Sequence, residues 1–259
     1  MHPIKSLLIL APHLEFPLEN GADILVGNRI DGFLKTFENV TIIGNGFVST
    51  YFQSRNIKTI RFKNSFLTKN MSALRTIFTN KSYLYNKFLT SRFLRRIQKD
   101  DIANIHYDVV YYSFIHTADA CSSFFKKVKL QIIETHNDDV VWYSNLLKNS
   151  NNLLSKLVSY KSILYTKRFL SNSNEKFIYI ALNDNDKLGY LDYISESNLW
   201  LIPGGIKIPE KVTLSRSVKK NEIKLIFVGS LNVKMNYDAL HYFSRNFHKH
   251  IVNAIKMFF

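Results

Sequence analysis

Two histidines stand just beyond runs that read as buried strands. Asp108-Val-Val-Tyr-Tyr-Ser-Phe114 is followed by Ile115-His116-Thr117, and Leu130-Gln-Ile-Ile133 is followed by Glu134-Thr-His136-Asn137-Asp138-Asp139. In a parallel sheet, successive strand ends open onto one crevice, so both imidazoles would approach the same ligand. A polar side chain packed there is costly without a partner, which favours a binding site. Two readings stand for each histidine, ligand contact or a hydrogen-bonded structural role. Asp138 and Asp139 either join the crevice or cap the helix that begins near Val140. His136 and Asp138 have no distant partner of metal-ligand type, and no metal is expected.

A second chemistry-bearing stretch lies near the carboxyl end. Ile223-Lys-Leu-Ile-Phe-Val-Gly-Ser-Leu231 is an apolar run leaving through Gly229 and Ser230 toward a helix from about Asn236 to His250. A backbone that leaves a buried strand through Gly-Ser into a helix points free N–H groups outward, which makes an anion site. Lys234 is either a charge partner for that anion or an ordinary surface lysine.

The elements that must position these residues follow an alternating order. Ser6–Ala11 is an apolar run stopped by Pro12, and Val40–Ile43 and Ile57–Phe62 read as further strands. Between them Ile24, Leu25, Ile30, Phe33, Leu34 and Phe37 recur at helical spacing. Helices are also expected over 118–127, 152–170 and 187–193, and strands over 177–182 and 199–203. Strand–loop–helix–strand order predicts an α/β fold, a Rossmann-like doubly wound parallel sheet. The loop from Pro12 to Gly21 then forms one wall of the crevice.

Composition narrows the partners. The 259 residues are 46% hydrophobic with a formal net charge of +15, so an anionic partner is favoured, although Lys and Asn are abundant throughout. From Thr68 to Lys99 basic and aromatic residues interleave without one carboxylate. That is either a basic amphipathic helix on an anionic membrane surface or a helix packed on its own domain with a solvated basic face. No helix–turn–helix, RNP-like or zinc pattern appears, and no nucleic-acid partner is expected. The single cysteine, Cys121, excludes an internal disulfide and reads as a small core residue. No apolar run approaches the ~20 residues of a spanning helix, so a cytoplasmic protein, peripheral at the inner membrane face, is expected.

Two motifs in order carry a family resemblance. Leu201-Ile-Pro-Gly-Gly-Ile206 resembles the exit from the first domain of GT-B glycosyltransferases. Phe227-Val-Gly-Ser-Leu231, with Asn236-Tyr-Asp-Ala239 and Tyr242-Phe243, is similar to the opening of their donor domain, most of all in the family-four retaining sugar transferases. Asn183-Asp-Asn-Asp186 resembles a further polar turn of that family. The resemblance implies sugar transfer from a nucleotide-diphosphate sugar to a hydroxyl acceptor, in bacterial surface polysaccharide or glycoconjugate synthesis. It places the donor diphosphate on Gly229, Ser230 and Lys234, and makes His116 and His136 the candidates for the catalytic, sugar-contacting histidine.

The same resemblance puts Gly21, Arg29 and Asp138 on the acceptor side. The family often has an arginine four residues after the loop glycine, but that position here is Leu25, and Arg29 comes one turn later. It implies no cofactor beyond the donor and no metal, and an acceptor that is polyprenyl-linked. The implied division is an acceptor-type domain over 1–205, a linker over 206–222 and the start of a donor domain over 223–259. The family's later acidic motif does not occur in the 49 residues from Lys211 to Phe259, so the donor domain is expected to be truncated. A second chain would then complete it, or the protein would act as an inactive binding module.

Overall fold

The computed structural model describes residues 5–15, 18, 21–44, 57–61, 69–88, 91–99, 101–173, 175–205 and 234–246. Seven strands form one parallel sheet: β1 (Ser6–Ala11), β2 (Asn39–Gly44), β3 (Ile57–Arg61), β4 (Val109–Ser113), β5 (Leu130–Glu134), β6 (Ile178–Ala181) and β7 (Leu199–Leu201). Their spatial order is β3-β2-β1-β4-β5-β6-β7, every neighbouring pair parallel. The expected Rossmann-like α/β sheet is therefore what the chain forms.

The strand sequences explain the sheet. β1, β2 and β4 are almost continuous runs of Leu, Ile, Val and Tyr, as strands covered on both faces require. Successive side chains point to opposite faces. Leu7, Ile9, Val109 and Tyr111 enter one core with Val26 and Ile30 of α1 (Gly21–Phe33). Leu8, Leu10, Val110 and Tyr112 enter the other, with Phe93 and Ile97 of α4 (Ser91–Lys99) and Ala118 and Cys121 of α5 (Ile115–Cys121). Cys121 is fully buried in that second core.

The basic stretch expected as one amphipathic helix is broken. It forms α2 (Lys69–Phe78), α3 (Tyr83–Phe88) and α4. Between α2 and α3, Ser82 accepts from Tyr85 N at 3.1 Å, and the Asn86 side chain donates to Thr76 Oγ1 and to Ser82 O, both at 3.1 Å. These local bonds compete with helix continuation, as Ser and Asn commonly do.

β5 is followed by two helices, α6 (Asp139–Asn149) and the longer α7 (Leu153–Ser173), packed on each other. α8 (Asp184–Leu191) connects β6 to β7. Among the described residues no helix is long and apolar enough to cross a membrane. The chain divides into two compact units, Met1–Lys207 and Ile208–Phe259. In the second, α9 spans Lys234–Asn246. The expected strand over 223–231, the Gly229-Ser230 turn and the linker over 206–222 lie outside the described residues. So does the Lys234 side chain.

Candidate functional site

The order of strands sets where a ligand can sit. β1 and β4 are neighbours, yet α1 leaves β1 for one face and α5 leaves β4 for the other. Chain connections therefore part at the carboxyl ends of β1 and β4, which leaves a crevice there. Three strand ends deliver a histidine to it. His13 follows β1 in a tight turn, where Leu14 N donates to Ala11 O at 2.9 Å. His116 lies in the first turn of α5 after β4, and His136 lies two residues past β5.

Phe114 joins the three. Its ring stacks on His136 with centroids 4.0 Å apart and on His116 at 5.0 Å, and it meets His13 edge-on at 4.7 Å. His13 and His136 are themselves 5.5 Å apart, edge to face. Phe88 of α3 closes the group, stacked on His116 at 6.0 Å. The Phe114 backbone has φ 74° and ψ 149°, a conformation a side-chain-bearing residue adopts only under constraint from its surroundings. Its N–H is held by Glu134 O at 3.0 Å.

Hydrogen bonding divides the histidines. His136 Nε2 is 2.7 Å from Ser113 Oγ, the last residue of β4. Both ring nitrogens of His13, His116 Nε2 and Thr117 Oγ1 are buried and have no hydrogen-bond partner among the described residues. Four such atoms gathered at one crevice are uncommon, because buried polar groups are nearly always paired. Hydroxyls of a bound ligand would satisfy them.

Burial also sets their charge. It pushes His13 and His116 down to about 3, and holds His136 well below the usual imidazole range. His13 Nε2 lies 3.9 Å from Asp23 Oδ1, too far for a hydrogen bond and insufficient to offset that burial. All three rings are therefore neutral near pH 7, each able to accept one proton or hydrogen bond. Among the described residues no group of three His, Cys, Asp or Glu side chains is arranged to hold a metal ion.

The acceptor-side candidates lie apart from one another in role. Gly21 opens α1 at an exposed position. Arg29 donates through Nε to Glu134 Oε1 at 2.9 Å and through a terminal nitrogen to Ile202 O at 2.5 Å. Glu134 is fully buried and also accepts from Tyr111 Oη. Arg29 thus ties α1 to the end of β5 and to the segment after β7. Asn28 supports the same junction by donating to Gly205 O at 2.6 Å. Gly204 lies where a Cβ would be 3.0 Å from Leu25 Cδ1, so the Pro203-Gly204-Gly205 segment passes close over α1.

Asp138 caps α6. One carboxylate oxygen accepts from Val140 N at 2.9 Å and from Val141 N at 3.0 Å, which is the capping alternative of the sequence reading. Asp139 was not separable from Asp138 by sequence. It is buried, and that burial, reinforced by Asp138 and Asp186, pushes its carboxyl up to about 7. A carboxyl half-protonated near neutrality three residues beyond His136 can give or take a proton. His13 was read only as part of the loop wall. Its signal was present, a histidine just past a buried strand, as with His116 and His136.

No family model matches the chain. The chain is 20% identical over 258 residues to an uncharacterized 44.6 kDa protein in cps region of Klebsiella pneumoniae, covering 96% of this chain and 62% of that protein. The chain thus spans less than two thirds of that relative. Among solved structures, 75% of the chain aligns with 43% of alpha,alpha-trehalose 6-phosphate synthase from Burkholderia multivorans, at 12% identity and a TM-score of 0.40.

Proposed function

We propose that the chain is the acceptor-side part of a glycosyltransferase, moving a sugar from a nucleotide-diphosphate donor to a hydroxyl acceptor. The observation that carries this reading is the cluster of neutral, partner-poor histidines at the switch point of a doubly wound sheet. In the transfer, the bond from the sugar's anomeric carbon to the diphosphate oxygen breaks and a bond to the acceptor oxygen forms. The diphosphate leaves with the bonding pair, and the acceptor hydroxyl loses its proton. His136, oriented by Ser113, and His116 are suited to bind sugar hydroxyls as neutral acceptors, and Asp139 to exchange a proton. Gly229, Ser230 and Lys234 are proposed to receive the diphosphate, as the motif resemblance implies. Surface-polysaccharide or glycoconjugate synthesis is proposed from the same motifs and from the cps region in the relative's name.

The proposed acceptor is polyprenyl-linked and reached at an anionic membrane face. Phe78 of α2 and Leu153 of α7 are 80% and 82% exposed, and residues 61–99 and 140–174 hold no carboxylate. Exposed apolar residues among lysines suit an anionic bilayer. The same surface favours a second reading, a membrane- or partner-bound module without transfer activity, or one completed by another chain. Calorimetric titration with UDP- and GDP-linked sugars, with assay of released nucleotide diphosphate, separates the two. Binding with release that falls about 100-fold or more in His136→Asn supports transfer. A folded chain that neither binds nor releases leaves only the module.

A further inference from the structure

A cavity of about 390 Å³ opens at the other end of the strands from the histidines. Lys176 and Phe177, at its floor, immediately precede β6. Its walls come from α5, from the carboxyl-terminal part of α7 and from the turn between α2 and α3. Neither the family motifs nor the crevice chemistry uses any of these residues.

The charges lining the cavity are unbalanced. Asp119 is its one carboxylate, and that oxygen is already engaged: Lys81 pairs with it and Tyr165 Oη donates to it at 3.0 Å. Arg168 and Lys176 also line the cavity, and neither has an ion-pair partner among the described residues. Lys176 Nζ donates to Ser122 Oγ at 3.0 Å and lies 4.9 Å over the Phe177 ring, and its nearby countercharge, Asp119, is already paired with Lys81. Burial, and then the nearby Lys126, lowers its proton affinity, Asp119 offsets part of that, and an entering anion would restore more. Phe169 and Phe177 supply an apolar wall, their rings 6.0 Å apart and 25° from parallel.

A planar guanidinium and a fixed ammonium lining one cavity are a donor set for a phosphate, and the half-buried Phe169, backed by the buried Phe177, offers an apolar surface for the group attached to it. The volume is within the ordinary range for small-ligand sites, roughly 300–1,000 Å³. We propose that this cavity is a second binding site, separate from the crevice, for a phosphomonoester. Its phosphate lies between Arg168 and Lys176, and its organic part lies against Phe169. The ligand is either a soluble sugar phosphate or the phosphomonoester headgroup of a lipid. The site does not depend on the transfer reading.

The test uses the full chain, glucose 6-phosphate titrated by calorimetry, and co-sedimentation with phosphatidylcholine vesicles with or without phosphatidic acid. Arg168→Gln/Lys176→Gln is compared with His136→Asn as a control in the crevice. Binding of glucose 6-phosphate weakened about tenfold or more in the double variant only supports the site with a soluble ligand. Binding confined to vesicles with phosphatidic acid, and lost in the same variant, supports it with a lipid source. Binding that the double variant leaves unchanged, or no binding to either probe, overturns the proposal. Arg168 is exposed, so Arg168→Gln alone repeats the comparison if the double variant does not fold.

Discussion

Ser113 Oγ lies 2.7 Å from His136 Nε2, and the contact joins the ends of two neighbouring strands. Ser113 ends β4, His136 lies just beyond β5, and Phe114 stacks on the same imidazole at 4.0 Å. One ring edge is thus fixed by a hydroxyl and one ring face by an aromatic. That leaves His136 a single orientation in which to meet a ligand.

Ser113→Ala removes the partner of a buried imidazole nitrogen. An unsatisfied buried polar group costs about 1–3 kcal/mol, so urea unfolding should show a loss of that size. Nitrogen NMR of the His136 ring should show a changed tautomer balance, which a purely volumetric effect would not produce. An unchanged tautomer would mean that Ser113 does not orient the ring.

Phe114 makes an unusual ranking testable. Either truncation deletes the ring that His13, His116 and His136 share. At φ 74°, however, alanine keeps the backbone strain and glycine does not. Phe114→Gly should therefore be the more stable of the two by about 1 kcal/mol, against the usual cost of glycine. Thermal melts of both variants decide it, and Phe114→Ala melting higher would contradict the strained backbone.

How much of this was legible beforehand differs between the scaffold and the site. The apolar runs at Ser6–Ala11, Val109–Ser113 and Leu130–Glu134 announce buried parallel strands by composition alone, because both faces of each are covered. The convergence of His116 and His136 followed from strand order. His13 carries the same signal, a histidine just past a buried strand, but Pro12 separates it from the apolar run, so the sequence places it only in the loop wall. The raised carboxyl of Asp139 was hidden because only tertiary burial separates it from Asp138. The basic stretch from Thr68 misled for a different reason. The basic and aromatic composition runs on through Asn80-Lys81-Ser82, while side-chain bonds from Ser82 and Asn86 interrupt the helix.

Acid should destabilise the protein from just below neutrality. The unfolded chain takes up protons at His13, His116 and His136 near pH 6.5, and the folded chain does not until far lower pH. Depressed histidines contribute stability that is present above pH 6.5 and is lost as pH falls toward about 3. Each contributes up to about 1.4 kcal/mol per pH unit in that window. Asp139 opposes this, since its raised carboxyl adds stability as pH falls from about 7, and Asp138 acts in the same direction. Three histidines outweigh these carboxyls, so the melting temperature should fall between pH 7 and pH 5. His13→Asn should flatten that fall, and an equally steep profile would show that His13 is not buried neutral.

Arg29 and Glu134 supply the last test, because they separate a structural ion pair from a substrate-binding arginine. Glu134 is fully buried and accepts from Arg29 Nε and Tyr111 Oη. Arg29→Ala strands that carboxylate, and removing one partner of a buried pair costs about 3–5 kcal/mol. Replacing both with apolar residues of similar volume, Arg29→Met with Glu134→Leu, removes the stranded charge and should recover most of that loss. It also leaves Ile202 O without its Arg29 donor and the buried Tyr111 hydroxyl without its acceptor, so recovery should be incomplete. Urea unfolding of the wild type, Arg29→Ala and the double variant gives the three stabilities. If the double variant is no more stable than Arg29→Ala, the stranded carboxylate is not the main cost, and adding Tyr111→Phe to the double variant separates the lost Tyr111 acceptor from the lost tie to the segment after β7. That outcome would return Arg29 to consideration as a residue that positions the crevice wall for an acceptor.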